Sequence, residues 1–128
     1  MKIAYVYGSL KEGFGNHGLL AKSQFLGTTA VRGKFLMIGL GGFPGVLESA
    51  SYDEALVVVE AYRINENTLA DLDMLESEGD FYHRRTYTAE DGSTGYMYIL
   101  DDAYKQEDHG DRVDVFINEN KETVFDWL

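Results

Sequence analysis

The chain has 128 residues, 45% of them hydrophobic, with nine tyrosines and seven phenylalanines; this suits one folded domain and excludes a disordered chain, which is poor in aromatics. Its 22 acidic against 11 basic residues give a formal net charge of −11, which makes nucleic acid and anionic membrane surfaces poor partners. The absence of cysteine excludes disulfides, thiolate nucleophiles and cysteine-ligated metal centres, and with no signal segment and no apolar run near the ~20 residues of a membrane span, a cytoplasmic location is expected.

Residues 3–7 read as a buried strand, and the glycine-rich stretch 8–18 that follows holds too many breakers to be a regular element. A short helix is expected over 17–22, then strands over 25–31 and 34–40 separated by Arg32-Gly33, then a turn cluster at Gly41-Gly42-Phe43-Pro44-Gly45. Residues 56–64 form the strongest strand; both of its faces are largely apolar, which predicts a central position. Asn65 or Asn67 can cap the helix behind it, in which Leu69, Leu72, Leu75 and Met74 supply a buried stripe and Gly79 supplies the stop. Residues 84–88 and 94–100 flank an Asp91-Gly92 step, a strong hairpin signal. Residues 107–111 read as a loop, 113–117 alternate like a short strand, and the tail 124–128 is expected to pack on the core.

Several motifs have little support. Gly13-Phe14-Gly15-Asn16-His17-Gly18 matches a dinucleotide fingerprint formally, but its first glycine lies six positions after Tyr7, the helix behind it is short, and no acidic residue stands at the ribose-binding distance of ~20 residues. Glu107, Asp108, His109 and Asp111 lack the spacing of a calcium loop and read as a solvated acidic turn. The three histidines are isolated, and Ser9 is not in a Gly-x-Ser-x-Gly elbow.

Two features remain. Tyr7-Gly8-Ser9-Leu10 places a tight glycine turn, with its backbone amides, at a strand end, where a small anionic group can be held. Leu72-Asp73-Met74-Leu75-Glu76 ends a periodic helix on a carboxylate, followed by Phe81-Tyr82-His83-Arg84. Glu76 lies at the negative end of its helix with Asp73, Glu78 and Asp80 nearby, and both effects are expected to raise its pKa toward neutrality, where a proton-transfer group works best. Tyr62, Tyr82 and Tyr98 are candidate pocket walls.

In order and spacing, Tyr7-Gly8-Ser9-Leu10-Lys11, Gly13, Asn16, His17, the turn Phe43-Pro44-Gly45, residues 57–62, Leu72-Asp73-Met74-Leu75-Glu76 and Tyr82-His83-Arg84 together resemble the γ-glutamylcyclotransferase-like family over about four fifths of the chain. Relatives often carry glycine where this chain has Val59, before the glutamate that Glu60 matches. The resemblance implies an α+β fold, a small mixed β-barrel flanked by short helices, filling residues 1–128 as a single domain. It implies an enzyme that cyclises a γ-glutamyl group to 5-oxoproline and releases an amine or amino acid. Glu76 would be the catalytic acid/base, Tyr7, Gly8, Ser9, Leu10 and Tyr82 would bind the small-molecule γ-glutamyl substrate, and no cofactor or metal is called for. Two other classes remain open at this point: a non-catalytic binder with the same pocket, and an acidic protein-interaction module.

Overall fold

The structure is a computed structural model that describes residues 2–8, 10–11, 13–109 and 112–128. Among these the strands are β1 (Lys2–Val6), β2 (Gln24–Gly33), β3 (Phe35–Gly39), β4 (Pro44–Glu48), β5 (Ala55–Ile64), β6 (Tyr82–Thr88), β7 (Thr94–Leu100), β8 (Val113–Ile117) and β9 (Thr123–Trp127). One α-helix, α1 (Glu66–Leu75), and 3₁₀ turns at His17–Leu20 and Asp102–Glu107 complete the described elements.

β5 is the spine, as its two apolar faces lead one to expect. β2 pairs antiparallel along one edge, while the other edge is shared end to end by β1, antiparallel at residues 60–64, and β9, parallel at residues 55–57. β7 pairs parallel with β1, and β6 and β8 extend the sheet beyond β7 and β9. A bridge between Val31 and Ala89, beside a hydrogen bond from Glu90 N–H to Ala30 O (2.9 Å), ties β2 to the tip of the β6–β7 hairpin. The mixed sheet thereby curls into a partly closed barrel. Val57, Val59 and Ala61 of β5 enter one core cluster with Tyr5, Val31, Met97 and Trp127. Tyr62 and Ile64 enter a second, with Leu69 and Leu72 of α1.

β4 is absent from the sequence reading, which took its first residues for part of a turn. Pro44 is tolerated because it is the first residue of a strand whose one paired neighbour is β3. Gly45 is required by packing, since a Cβ there would lie 2.6 Å from Leu100 Cδ2.

α1 starts where Asn65 accepts a hydrogen bond from Thr68 N–H (2.8 Å). Leu69 and Leu72 are buried as the periodicity demands, but Met74 is 81% exposed and Leu75 40% exposed, so the core stripe is narrower than expected. The helix ends at Leu75, before Gly79; Ser77 (φ 47°) and Gly79 (φ 89°) then turn the chain back toward β6. Leu72 is the anchor of this segment, with no exposed surface. Leu72→Ala is expected to cost about 2–5 kcal/mol through lost burial and the cavity left behind, read as a lower urea midpoint with an unchanged slope.

Candidate active site

A cavity of about 340 Å³ opens at the C-terminal end of β1. Val6, Tyr7, Gly8 and Leu10 line it from β1 and the following loop, Phe43 and Pro44 from the start of β4, Leu75 and Glu76 from the end of α1, Phe81 and Tyr82 from the start of β6, and Tyr98 from β7. Of the residues singled out from the sequence, Tyr7, Gly8, Leu10, Glu76, Tyr82 and Tyr98 thus share one cavity. Ser9 lies outside the described residues. Tyr62 is not part of this wall: its hydroxyl donates to Glu60 (2.8 Å) and its ring packs against Phe25 and His17.

The loop after β1 is braced at several points. Lys11 N–H donates to Gly8 O (2.9 Å), closing a turn, and His17 Nδ1 donates to Leu10 O (2.9 Å). The buried Lys11 ammonium donates to Trp127 O (2.7 Å) and Asp126 Oδ1 (3.2 Å), fastening the loop to β9. Glycine at position 8 is set by close packing, because a Cβ there would lie 2.7 Å from both Cδ and Cγ of Pro44, and its φ is outside the left-handed region.

Glu76 is the helix C-cap, its N–H donating to Leu72 O (2.9 Å), and its side chain is half-buried in the cavity wall. Burial pushes its pKa up to about 7, because a carboxylate removed from water loses hydration that the cavity does not replace. The direction matches the sequence reading but the cause differs. Neighbouring negative charge was expected to contribute, yet Asp73 is bound by the Arg84 guanidinium and by Tyr98 OH, and Glu78 accepts from Arg84 N–H (3.2 Å).

The tyrosines are held in defined orientations. Tyr7 OH donates to Tyr98 O (2.6 Å) and accepts from Val46 N–H (3.2 Å), Tyr82 OH donates to Pro44 O (2.6 Å), and Tyr98 OH donates to Asp73 Oδ1 (2.6 Å). Burial raises the pKa of all three, so they remain neutral phenols. Among the described residues no Lys, Arg or His lines the cavity, and Glu76 is the one charged lining residue. Such a site can exchange a proton near neutral pH with a group held against tyrosine oxygens and loop backbone.

Sequence reasoning missed the apolar rim of Leu75, Phe43 and Phe81, where the two phenylalanine rings lie 6.2 Å apart. It also missed the grip of Arg84 and Tyr98 on Asp73, although a signal existed. Residues 84 and 98 are equidistant from Asp91 in the predicted hairpin, and they do pair directly.

The curled mixed sheet with few short helices is a fold shared with γ-glutamylcyclotransferase-like proteins. The chain belongs to this family: the profile described as "Gamma-glutamyl cyclotransferase, AIG2-like" matches residues 4–118. The γ-glutamylcyclotransferase family protein YtfP of Escherichia coli is 33% identical over 113 residues, covering 86% of this chain and 95% of its own. A Vibrio cholerae protein with the name "Putative gamma-glutamylcyclotransferase" is 34% identical over 103 residues, covering 80% of this chain and 85% of its own. Among solved structures, an AIG2-like protein from Mus musculus superposes with a TM-score of 0.66 at 24% identity, covering 78% of this chain and 77% of that one, a likeness of fold.

Proposed function

We propose that the protein cyclises a γ-glutamyl group to 5-oxoproline and releases the attached amine or amino acid. The observation that carries this reading is a half-buried carboxyl group with its pKa pushed up to about 7, in the same cavity as Gly8 and Leu10 of the braced loop after β1. In the proposed reaction Glu76 takes a proton from the substrate α-ammonium. The freed nitrogen attacks the γ-carbonyl carbon, a new C–N bond closes the five-membered ring, and the amide C–N bond breaks as Glu76 returns this proton to the departing nitrogen; Glu76 then takes the second proton from the ring nitrogen, which becomes the neutral lactam N–H, and that proton ends on the released amine as its ammonium form. Protons balance and no water is consumed. Backbone amides of the loop at Gly8 and Leu10 would hold the α-carboxylate or the developing oxyanion. Most of the acceleration would come from folding the substrate so that nucleophile and carbonyl meet within one molecule, where effective molarities reach ~10⁵ M or more.

The test is mass detection of 5-oxoproline from a panel of γ-glutamyl amino acids and γ-glutamylamines; binding of a panel member without product would make the protein a non-catalytic binder. The pH dependence follows from the base being active when ionised. On the acid side kcat/KM should climb about tenfold per pH unit and level off through about pH 7, some two units above an ordinary glutamate. A profile already flat from pH 5 upward would exclude Glu76 as the base.

A further inference from the structure

We propose that the tyrosine wall of the cavity is an acceptor-only subsite for a primary ammonium group, with Tyr98 as its specificity-determining residue; placing the substrate α-ammonium there rests on the cyclotransferase reading. A phenol has one proton. That of Tyr7 is committed to Tyr98 O, that of Tyr82 to Pro44 O and that of Tyr98 to Asp73, and carbonyl and carboxylate oxygens can only accept. These hydroxyls therefore have no proton left to donate and offer lone pairs alone. Tyr7 already spends one of its lone pairs on Val46 N–H, which leaves Tyr82 and Tyr98 with the greater spare capacity. Glu76 adds a carboxylate, and among the described residues the lining contains no Lys, Arg or His to compete for these acceptors.

An anion or a neutral carbonyl would find no hydroxyl proton on these three side chains. An ammonium group, with three donors and a positive charge, fits them. Asp73 makes the selection strict for Tyr98. Held by Arg84, whose guanidinium also lies 4.8 Å from the Tyr96 ring centre, Asp73 has a fixed position from which to keep the Tyr98 proton turned to itself. Arg84 and Tyr98 are directly paired residues of β6 and β7, so one carboxylate joins a cross-strand pair to the last turn of α1, three residues before Glu76.

The experiment compares calorimetric binding of γ-glutamylethylamide with that of its analogue lacking the α-amino group, N-ethylglutaramate, to protein with Tyr98 intact and to Tyr98→Phe, both carrying Glu76→Gln so that the amine is bound and not consumed during the titration. The protein with Tyr98 should bind the amine at least about tenfold more tightly. Tyr98→Phe should weaken the amine by about tenfold or more while leaving the analogue within about twofold, as expected for one charge-assisted hydrogen bond. A merely structural role for Tyr98 would weaken both ligands alike. Equal affinity of the protein with Tyr98 for the two, failure of both to bind, or an equal loss in Tyr98→Phe overturns the proposal. Because the readout is binding, absence of 5-oxoproline from wild-type reactions together with retained discrimination would refute the cyclisation and leave the subsite standing.

Discussion

Glu76→Gln should lower the rate of 5-oxoproline release by a factor of ~10² or more, well beyond any weakening of binding from the missing carboxylate charge, while the substrate still binds, since the amide keeps the shape of the side chain but accepts no proton at neutral pH. A second effect of the opposite sign should accompany it. The pKa of Glu76 is raised on folding from 4.5 to about 7, so in that window the native state binds more protons than the unfolded state, and stability falls as pH rises. The penalty is absent below about pH 4.5, grows up to about pH 7 and is fully present above it. Glutamine carries no such penalty, so the variant should melt above wild type at about pH 8 and close to it at about pH 4. Loss of activity joined to a gain of stability at alkaline pH is the signature of a group placed for chemistry at a cost in folding. A folded Glu76→Gln protein that turns over like wild type would sink the assignment; circular dichroism at both pH values supplies the folding control.

Gly8→Val should reduce turnover and ligand affinity by at least ~10². The first added carbon already falls 2.7 Å from two ring carbons of Pro44, a separation that forces movement of either the loop or the start of β4. Proline cannot yield by changing rotamer, and Pro44 O is also the acceptor for Tyr82 OH, so displacement on either side reshapes the cavity. Misplacement of reacting groups by about 1 Å is enough for such a loss, and the overpacking itself should cost about 1–3 kcal/mol. Gly8→Ala should show a smaller fall in the same direction. Unchanged affinity in a folded Gly8→Val protein would remove the loop from the site.

The parts of the fold that were legible are those whose cause is local. β5 declares itself through the run Leu56-Val57-Val58-Val59, which makes both faces largely apolar, the β6–β7 hairpin through Asp91-Gly92, and the start of α1 through Asn65. β4 was hidden because the features that suggest a turn, Pro44 and Gly45, answer to tertiary demands: one opens an edge strand and the other clears Leu100. Met74 was placed in the core because a helical stripe predicts a face, whereas the width of the buried face depends on what packs against it. The candidate site was legible as two segments, residues 7–10 and 72–76, and the cavity they share is formed by long-range pairing of β1 with β5 and β7. The origin of the Glu76 shift was not legible, because Asp73 and Glu78 look like free negative charges until Arg84 is seen beside them.

The clasp of Lys11 on the Trp127 carbonyl gives the protein a built-in optical reporter. Trp127 is the single tryptophan of the chain and is 1% exposed, with the Arg112 guanidinium 5.1 Å from its ring centre. Its emission therefore senses whether β9 is seated, and through Lys11 whether the loop at the cavity mouth is fastened. The loop's anchor thus sits on a strand held by non-local pairing with β5, a class of contact that forms slowly compared with a local hairpin such as β6–β7. The indole signal on refolding therefore reports the seating of the strand to which the cavity loop is fastened, readable without any attached dye.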